Sequence, residues 1–415
     1  MSGVRTNWTG LTLSIALLGL LVLPYSAEGQ TGRNDVDPAE GAQYRSGTLA
    51  WSPALVFSSG YDTNVYREPA GFKDFENFVV PQIEGWWIHP GFFVKVNTAV
   101  EFVRFNNNVG ATNSQAGIGI ERRQSLFRPW VNYNLRRTAA NPFGFEAGYR
   151  SLRLENDING GLKLRFSPRS EARAFGRVTQ TGWDADAIYQ GSVLRQNLNR
   201  TTSTVGGSYV RAITPLTGIG GSVDVSTDRF KFAPERDGET LNVRGQVQFA
   251  GSALIFGTAS VGYQRFTSLN SAAANNSMLA SQVNVGYGAA DGTLIKVSYG
   301  REGQYSVDPS LGRFVLTTYN VSAARRVGTM FDAAIFANRS GLDYRPSGLT
   351  GRVDIGNEYG TAVAYRVGRR GRIGVTAERG TKTGPWGYQA TRLVGFLTFG
   401  SGRFQRLDRP TPFER

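Results

Sequence analysis

The chain has 415 residues, a formal net charge of +14 at pH 7, 12% aromatic residues and 52 glycines, and it contains one histidine and no cysteine. The lack of cysteine excludes a thiol nucleophile, a disulfide and a thiolate metal site. His89 lies beside Pro90 in a predicted turn, which disfavours a Ser/His pair, and no glycine-rich phosphate loop precedes a helix. We therefore predict a protein that is not an enzyme and that holds no cofactor or metal ion.

The N-terminus has the features of a secretory signal peptide. Arg5 provides a positive start, residues 11–24 form an apolar run, and the small residues Ala27 and Gly29 stand three and one positions before a cut at Gln30. The run is short for a helix that must cross about 30 Å of hydrocarbon, although an uncleaved anchor is the alternative. We predict a signal peptide over residues 1–29 and a periplasmic segment over 30–46.

From Leu241 to Phe399, segments of about ten residues alternate apolar and polar side chains, with a turn signal after each. In the first of them, one face carries Leu241, Val243, Val247 and Phe249, and the other carries Asn242, Arg244, Gln246 and Gln248. Such strands also occur in soluble sandwiches. No linker or charge run divides this long chain, however, so one closed sheet is favoured, and in a membrane only a closed barrel satisfies the backbone of such strands.

Short and long connections alternate along the chain, as in an outer-membrane barrel with periplasmic turns and extracellular loops. We place the first strand at residues 48–57 and the last at 391–399. The short turns are predicted after Ile88, Arg122, Phe166, Ile213, Ala250, Ala290, Arg326 and Val367. The fold class is therefore all-β: a transmembrane, antiparallel, up-and-down β-barrel over residues 47–400, in the outer membrane of a Gram-negative cell.

The count is about 18 strands, with a range of roughly 16 to 20. The range is open because residues 143–154 form either a long external loop or an added hairpin. Residues 401–415 follow the last strand as a tail, which we expect in the periplasm. A barrel of this size is too wide to be filled by side chains, so an aqueous channel or a loop-plugged pore is expected.

Arginine dominates the basic residues, since 40 of the 46 are arginine and only six are lysine. Arginine forms bidentate contacts with carboxylates and phosphates. The strand alternation predicts a set of basic pore-lining residues: Lys95, Arg136, Lys163, Arg165, Arg173, Arg177, Arg244, Lys296, Arg352 and Arg366. An anion-attracting pore is the hypothesis. The alternative is that these arginines pair with acids across strands or that others contact lipopolysaccharide from external loops.

Aromatic residues near strand ends are expected mainly in the girdles at the two membrane interfaces. Trp51, Trp86, Trp87, Trp130, Tyr365 and Phe399 are predicted near the periplasmic end, and Tyr61, Phe105, Tyr263 and Tyr305 near the external end. Trp86 and Phe175 are the candidates for inward-facing platforms on which sugar rings could stack.

The segment Trp51–Arg67 resembles the opening of the β-barrel porin 2 family of outer-membrane proteins. The resemblance rests on Gly60-Tyr-Asp-Thr-Asn-Val-Tyr66, on a following strand that contains Val80-Pro81, and on an Arg-rich strand that ends near Trp183. It implies secretion of an exopolysaccharide, in partnership with a periplasmic polysaccharide export protein and an inner-membrane chain-length regulator.

Two functional hypotheses follow. The first is an outer-membrane conduit for an acidic exopolysaccharide, and the alternative is a general or anion-selective diffusion porin for small solutes. A diffusion porin normally folds one long loop inward as a constriction, and residues 182–199 are the candidate for such a loop. In either case membrane lipid and lipopolysaccharide are the expected surroundings, and nothing indicates a nucleic-acid partner.

Overall fold

The computed structural model describes residues 39, 42–123, 126–139, 152–189, 191–251, 253–270, 275–308, 311–344, 352–368 and 370–400. The predicted signal peptide over residues 1–29 and the tail over 401–415 lie outside these residues and stay predictions. Of the predicted periplasmic segment over 30–46, only residue 39 and residues 42–46 are described.

The described chain forms one closed antiparallel sheet of 18 long strands plus a short N-terminal strand. The first seven barrel strands follow the short β1 (Tyr44–Ser46): β2 (Leu49–Asp62), β3 (Asp74–Ile88), β4 (Phe92–Phe105), β5 (Ala111–Arg122), β6 (Phe127–Thr138), β7 (Arg153–Ser167) and β8 (Ser170–Trp183). The long loop that follows contains β9 (Ile188–Tyr189), β10 (Ser192–Val193) and the helix α1 (Leu194–Leu198).

Eleven further barrel strands complete the sheet: β11 (Arg200–Thr214), β12 (Thr217–Phe230), β13 (Gly238–Phe249), β14 (Ile255–Ser268), β15 (Asn276–Gly288), β16 (Leu294–Tyr305), β17 (Arg313–Val327), β18 (Phe331–Asp343), β19 (Val353–Val367), β20 (Gly371–Lys382) and β21 (Tyr388–Gly400). A short 3₁₀ turn, Pro234–Arg236, precedes β13. Each strand pairs with its neighbour along the chain, and β2 closes the cylinder on β21, with Leu55 opposite Phe399. The predicted strand number and up-and-down topology are confirmed.

Cross-strand register explains why the alternating pattern gives a barrel with two different faces. Phe57 lies opposite Leu397 on one side and Val79 on the other, and all three are exposed on the outer face. Val243 lies between Val223 and Tyr263 in the same way. The positions between them point inward and are mostly polar, so the sheet is apolar outside and polar inside.

The connections also follow the predicted alternation, and each of the predicted short turns falls within two residues of an observed strand end. The first strand is longer than predicted, since it continues beyond Phe57 to Asp62, still pairing with β21. Strands β6 and β7 pair directly, with Phe127 opposite Leu164, so no other strand stands between them in the sheet. Most of that connection, residues 140–151, lies outside the described part of the chain.

Within the described residues, no helix is long and apolar enough to cross a membrane.

Candidate functional site: the lumen and its mouth

Ion pairs line the inner wall, and several involve the predicted pore-lining residues. Arg177 binds Asp157 and Arg173 binds Glu171, at 2.5 and 2.7 Å. The other pairs of this kind are Lys95 with Glu84 at 3.3 Å, Lys163 with Glu121 at 2.7 Å, Arg352 with Asp354 at 3.0 Å, and Arg366 with Asp332 at 2.5 Å. Most of the candidate arginines therefore have a carboxylate partner across or along the sheet.

In the lumen pairs between arginine and aspartate, the arginine is more exposed than its partner. The Arg177 side chain is 49% exposed and its partner Asp157 is 7% exposed, while the Arg352 side chain is 27% exposed and Asp354 is 4% exposed. Asp332 is likewise the buried member against both Arg366 and Arg372. An aspartate is short and stays at the wall, whereas the long arginine side chain extends over it toward the channel. The surface offered to a solute is therefore richer in guanidinium than the charge count suggests.

Not every pair has this asymmetry. Glu84 is more exposed than Lys95, and Glu155 more than Arg153. Lys163 and Glu121 are about equal. The excess of exposed cation therefore comes from arginine paired with aspartate and from Glu171, which lies under both Arg128 and Arg173.

Three further basic candidates lie at other points of the wall. Arg136 lies in register with Glu155. Arg165, near the periplasmic end of β7, donates to the Pro168 carbonyl at 3.3 Å. Lys296 is flanked in register by Gly286 and Ser322.

Arg244 stands in a part of the wall that is rich in neutral amides. Its guanidinium donates to Asn242 Oδ1 at 3.4 Å. The same Asn242 Oδ1 also accepts from Gln264, and its amide donates to Asp224 Oδ2 at 2.8 Å. Amide and hydroxyl groups can accept or donate to a hydroxylated solute.

Inward phenylalanines lie across glycines of the neighbouring strand. The ring of Phe175 reaches to within 2.7 Å of the place where a Cβ on Gly206 would stand, and that of Phe336 to within 2.5 Å at Gly360. Phe175 and Gly206 are direct register partners, as are Phe336 and Gly360. Because glycine has no side chain, the rings can lie on the wall and not stand up into the channel.

The sugar-stacking candidates can be placed within this arrangement. Phe175 is one of the rings that lie over a glycine. Trp86 packs on a small apolar cluster of Ala39, Ala50 and Ile88 near the periplasmic end, and Lys95 Nζ lies 5.5 Å from the centre of its ring. The stacking role of both rings stays a prediction.

The long loop between β8 and β11 (residues 184–199), here called the mouth loop, crosses the extracellular mouth. It forms an apolar cluster with Val307, which belongs to the β16–β17 connection. That connection starts six strands away from β8, roughly 29 Å along the wall at about 4.8 Å per strand. On the other side, the Tyr189 ring lies 6.2 Å from that of Trp386, in the β20–β21 connection. Contacts in both directions can be made only by a loop that spans the opening.

The tip of the β16–β17 hairpin bends toward the mouth loop. Strand β15 pairs with β16 from Ser281↔Arg301 down to Gly288↔Leu294, whereas β16 goes on pairing with β17 as far as Tyr305↔Arg313. The upper end of the hairpin therefore leaves the wall. Tyr305, expected in the outer girdle, instead packs on Phe230 and donates to Asp228 at 3.1 Å. This expectation was wrong because the bend turns Tyr305 away from the membrane.

Arg236 holds these loops together. Its side chain, only 8% exposed, donates to three backbone carbonyls: Asn197 at 2.9 Å, Ser306 at 2.6 Å and Gly312 at 3.1 Å. One acceptor belongs to the mouth loop and two to the β16–β17 connection. Arg236 is thus a latch across the mouth, and nothing in its local sequence distinguishes it from an ordinary surface residue.

A cluster of arginines and aromatic rings surrounds the latch. Arg313 lies 4.0 Å from the centre of the Phe266 ring and 4.8 Å from that of Tyr305, and Arg200 lies 5.3 Å from the Tyr305 ring. Asp228 supports the cluster, since it pairs with Arg200 at 3.6 Å. Sequence reasoning missed these residues, because strands far apart in the chain meet here only after the hairpin bends.

The outer face completes the assignment of the barrel to a membrane. Apolar and aromatic side chains are exposed all round its circumference, among them Leu55, Ile118, Val205, Val261, Ile335, Val363 and Leu397. An outer face that is apolar all round, on a closed cylinder with polar walls inside, is stable only in lipid. The chain is an outer-membrane β-barrel of the Gram-negative type.

Comparison with solved structures finds outer-membrane proteins of low sequence identity. The chain resembles the crystal structure of Pseudomonas aeruginosa OccK2 (OpdF) with 10% identity and a TM-score of 0.46, over 84% of this chain and 98% of that one. The same protein in complex with glucuronate matches with 8% identity and a TM-score of 0.47, over the same shares. Acinetobacter baumannii OccAB3 matches with 10% identity and a TM-score of 0.42, over 84% of this chain and 99% of that one. No family model and no curated protein matches the chain.

Proposed function

We propose that this barrel is a diffusion porin for small solutes, with a preference for anions. The unequal exposure of the lumen ion pairs is the observation that carries the proposal. A solute meets the guanidinium of Arg177, Arg366 or Arg372 before it meets the carboxylate beneath. Along a channel, exposed charge of one sign raises the local concentration of the opposite ion.

The loop that crosses the mouth favours the small-solute hypothesis over polymer export. An inward loop was the feature that separated the two hypotheses, and the mouth loop is held by Val307 and the Arg236 latch on one side and contacts Trp386 on the other. A polymer in transit would have to displace this loop together with the β16–β17 hairpin. A small solute requires less displacement of these loops than a polymer does.

Planar-bilayer recordings test the preference. In a salt gradient of KCl, wild-type protein should give a reversal potential of the sign expected for chloride permeation. Arg173→Gln combined with Arg177→Gln should move this potential toward zero, because two exposed guanidiniums are lost and their acids remain. Arg211→Gln, on the outer face of β11, serves as the matched control and should leave the potential unchanged. Equal permeability of the two ions in wild-type protein would refute the preference.

Deletion of the gene tests the competing hypothesis. A diffusion porin predicts normal surface polysaccharide in the deletion strain and slower uptake of small organic anions. Loss of surface polysaccharide with unchanged uptake would instead support export, and with it the predicted partnership with a periplasmic export protein.

A further inference from the structure

A ring of arginines surrounds the outer face of the barrel near its extracellular end. Strands that run from the periplasmic to the extracellular side are here called ascending strands, and they are β2, β4, β6, β8, β12, β14, β16, β18 and β20. Seven of them carry an outward arginine within their last five residues: Arg104, Arg137, Arg229, Arg265, Arg301, Arg339 and Arg379. We call this set the arginine belt.

Register fixes the outward direction of these side chains. Arg339 lies opposite Tyr319, and Arg379 lies opposite Tyr359, both of which are exposed on the outer face. Arg265 follows Tyr263 by two positions on β14, and Tyr263 is also outward and exposed. The belt therefore lies level with or just above aromatic side chains of the outer surface, where lipid headgroups begin.

The belt differs from the lumen arginines in its lack of protein partners. Arg104, Arg137, Arg265, Arg339 and Arg379 are exposed, and none has a hydrogen bond or ion pair with another described residue. Arg229 is 57% exposed although it contacts Asp237 at 3.0 Å. Glu239 is an acidic residue on the same face. An uncompensated arginine beside the hydrocarbon is unfavourable unless an anion meets it.

Each arginine of the belt has a hydroxyl or amide side chain as a register partner on a neighbouring strand. The register partners of the seven arginines include Asn77, Ser114, Thr201, Ser277, Ser281, Asn357 and Thr391. From β12 to β20, the arginines stand on every second strand, roughly 10 Å apart. A guanidinium beside a hydroxyl or amide offers one group for a phosphate and one for a sugar hydroxyl.

We infer that the arginine belt binds the phosphates and sugar hydroxyls of lipopolysaccharide in the outer leaflet. Lipopolysaccharide carries phosphates on a sugar backbone directly above its acyl chains. Its phosphates and sugars would therefore lie at the level of the belt, and its acyl chains at the level of the apolar surface below. The belt faces lipid and not the lumen, so this inference does not depend on the proposed solute preference.

The test compares two triple variants in detergent by native mass spectrometry and calorimetric titration with purified rough lipopolysaccharide. Arg265→Gln, Arg339→Gln and Arg379→Gln together should weaken binding by about tenfold or more. The matched control changes three outward arginines of the periplasmic half, Arg122→Gln, Arg211→Gln and Arg325→Gln, and should bind as wild type does. Heat-modifiable migration on gels establishes that each variant is a folded barrel.

Two further ligands sharpen the outcome. Enzymatically dephosphorylated lipopolysaccharide should bind wild-type protein as weakly as intact lipopolysaccharide binds the belt variant. Phosphatidylglycerol should bind more weakly than lipopolysaccharide, and equal binding would make the belt a general anion surface. The inference is overturned if the belt variant binds lipopolysaccharide like wild type, or if the phosphates make no difference. Channel conductance of the belt variant should be unchanged, which separates this result from any failure of the porin proposal.

Discussion

Replacement of Arg236 by alanine should open the mouth of the barrel. The variant loses three hydrogen bonds from a buried guanidinium to backbone carbonyls, at 2.6 to 3.1 Å. A hydrogen bond to a charged group contributes about 1.5–3 kcal/mol, and the three are not additive, because the freed carbonyls regain water once the loops separate. A net loss of about 3 kcal/mol would shift the balance between closed and open loops by about 150-fold.

Single-channel conductance and liposome swelling measure the effect. Arg236→Ala should raise the conductance and admit larger sugars than wild type does. Arg236→Lys should lie between the two, since an ammonium keeps the charge but lacks the planar fork that reaches several carbonyls. Arg195→Ala is the matched control in the same loop, where Arg195 contacts the Phe232 ring at 5.5 Å but none of these carbonyls. Unchanged conductance and size limit in a folded Arg236→Ala barrel would refute the latch.

Two further predictions concern the wall. Arg392 is 4% exposed and pairs with both Glu76 and Glu378. Arg392→Met should lower the free energy of unfolding in urea by about 3 kcal/mol, because two carboxylates lose their cation. The further change Glu76→Gln should recover part of this loss, and no recovery would contradict the pairing. Gly286→Ala should lower the free energy of unfolding by about 1–3 kcal/mol and reduce the conductance, because the nearest atoms to the new Cβ all belong to the Phe256 ring. The same change in a Phe256→Ala background should lower the free energy of unfolding by less. An equal loss in both backgrounds would show that the ring is not displaced.

The fold could be predicted from sequence because it depends on local rules. Alternation of the kind seen from Leu241 to Phe249 assigns a side chain to one face or the other, and Gly or Pro turns such as 89–91 mark the strand ends. The predicted strand ends were too early where small residues continue a strand without apolar and polar alternation, as between Ser58 and Asp62.

The candidate site was less predictable, since it depends on contacts between distant strands. Parity directs Arg177 inward, but nothing local shows that Asp157 will be buried beneath it. The bend of the β16–β17 hairpin begins where pairing with β15 stops, and sequence pattern does not reveal that point. Sequence reasoning therefore placed Tyr305 in the outer girdle and did not single out Arg236. The arginine belt, by contrast, can be recognised in sequence once the strand ends are known.

Permeation by three sugars of similar size tests the central proposal most directly. Liposomes that contain the purified barrel would be exposed in turn to gluconate, glucose and glucosamine, and the initial swelling rates compared. A lumen in which guanidiniums cover the carboxylates predicts that gluconate enters fastest and glucosamine slowest. Equal rates, or the reverse order, would contradict the account.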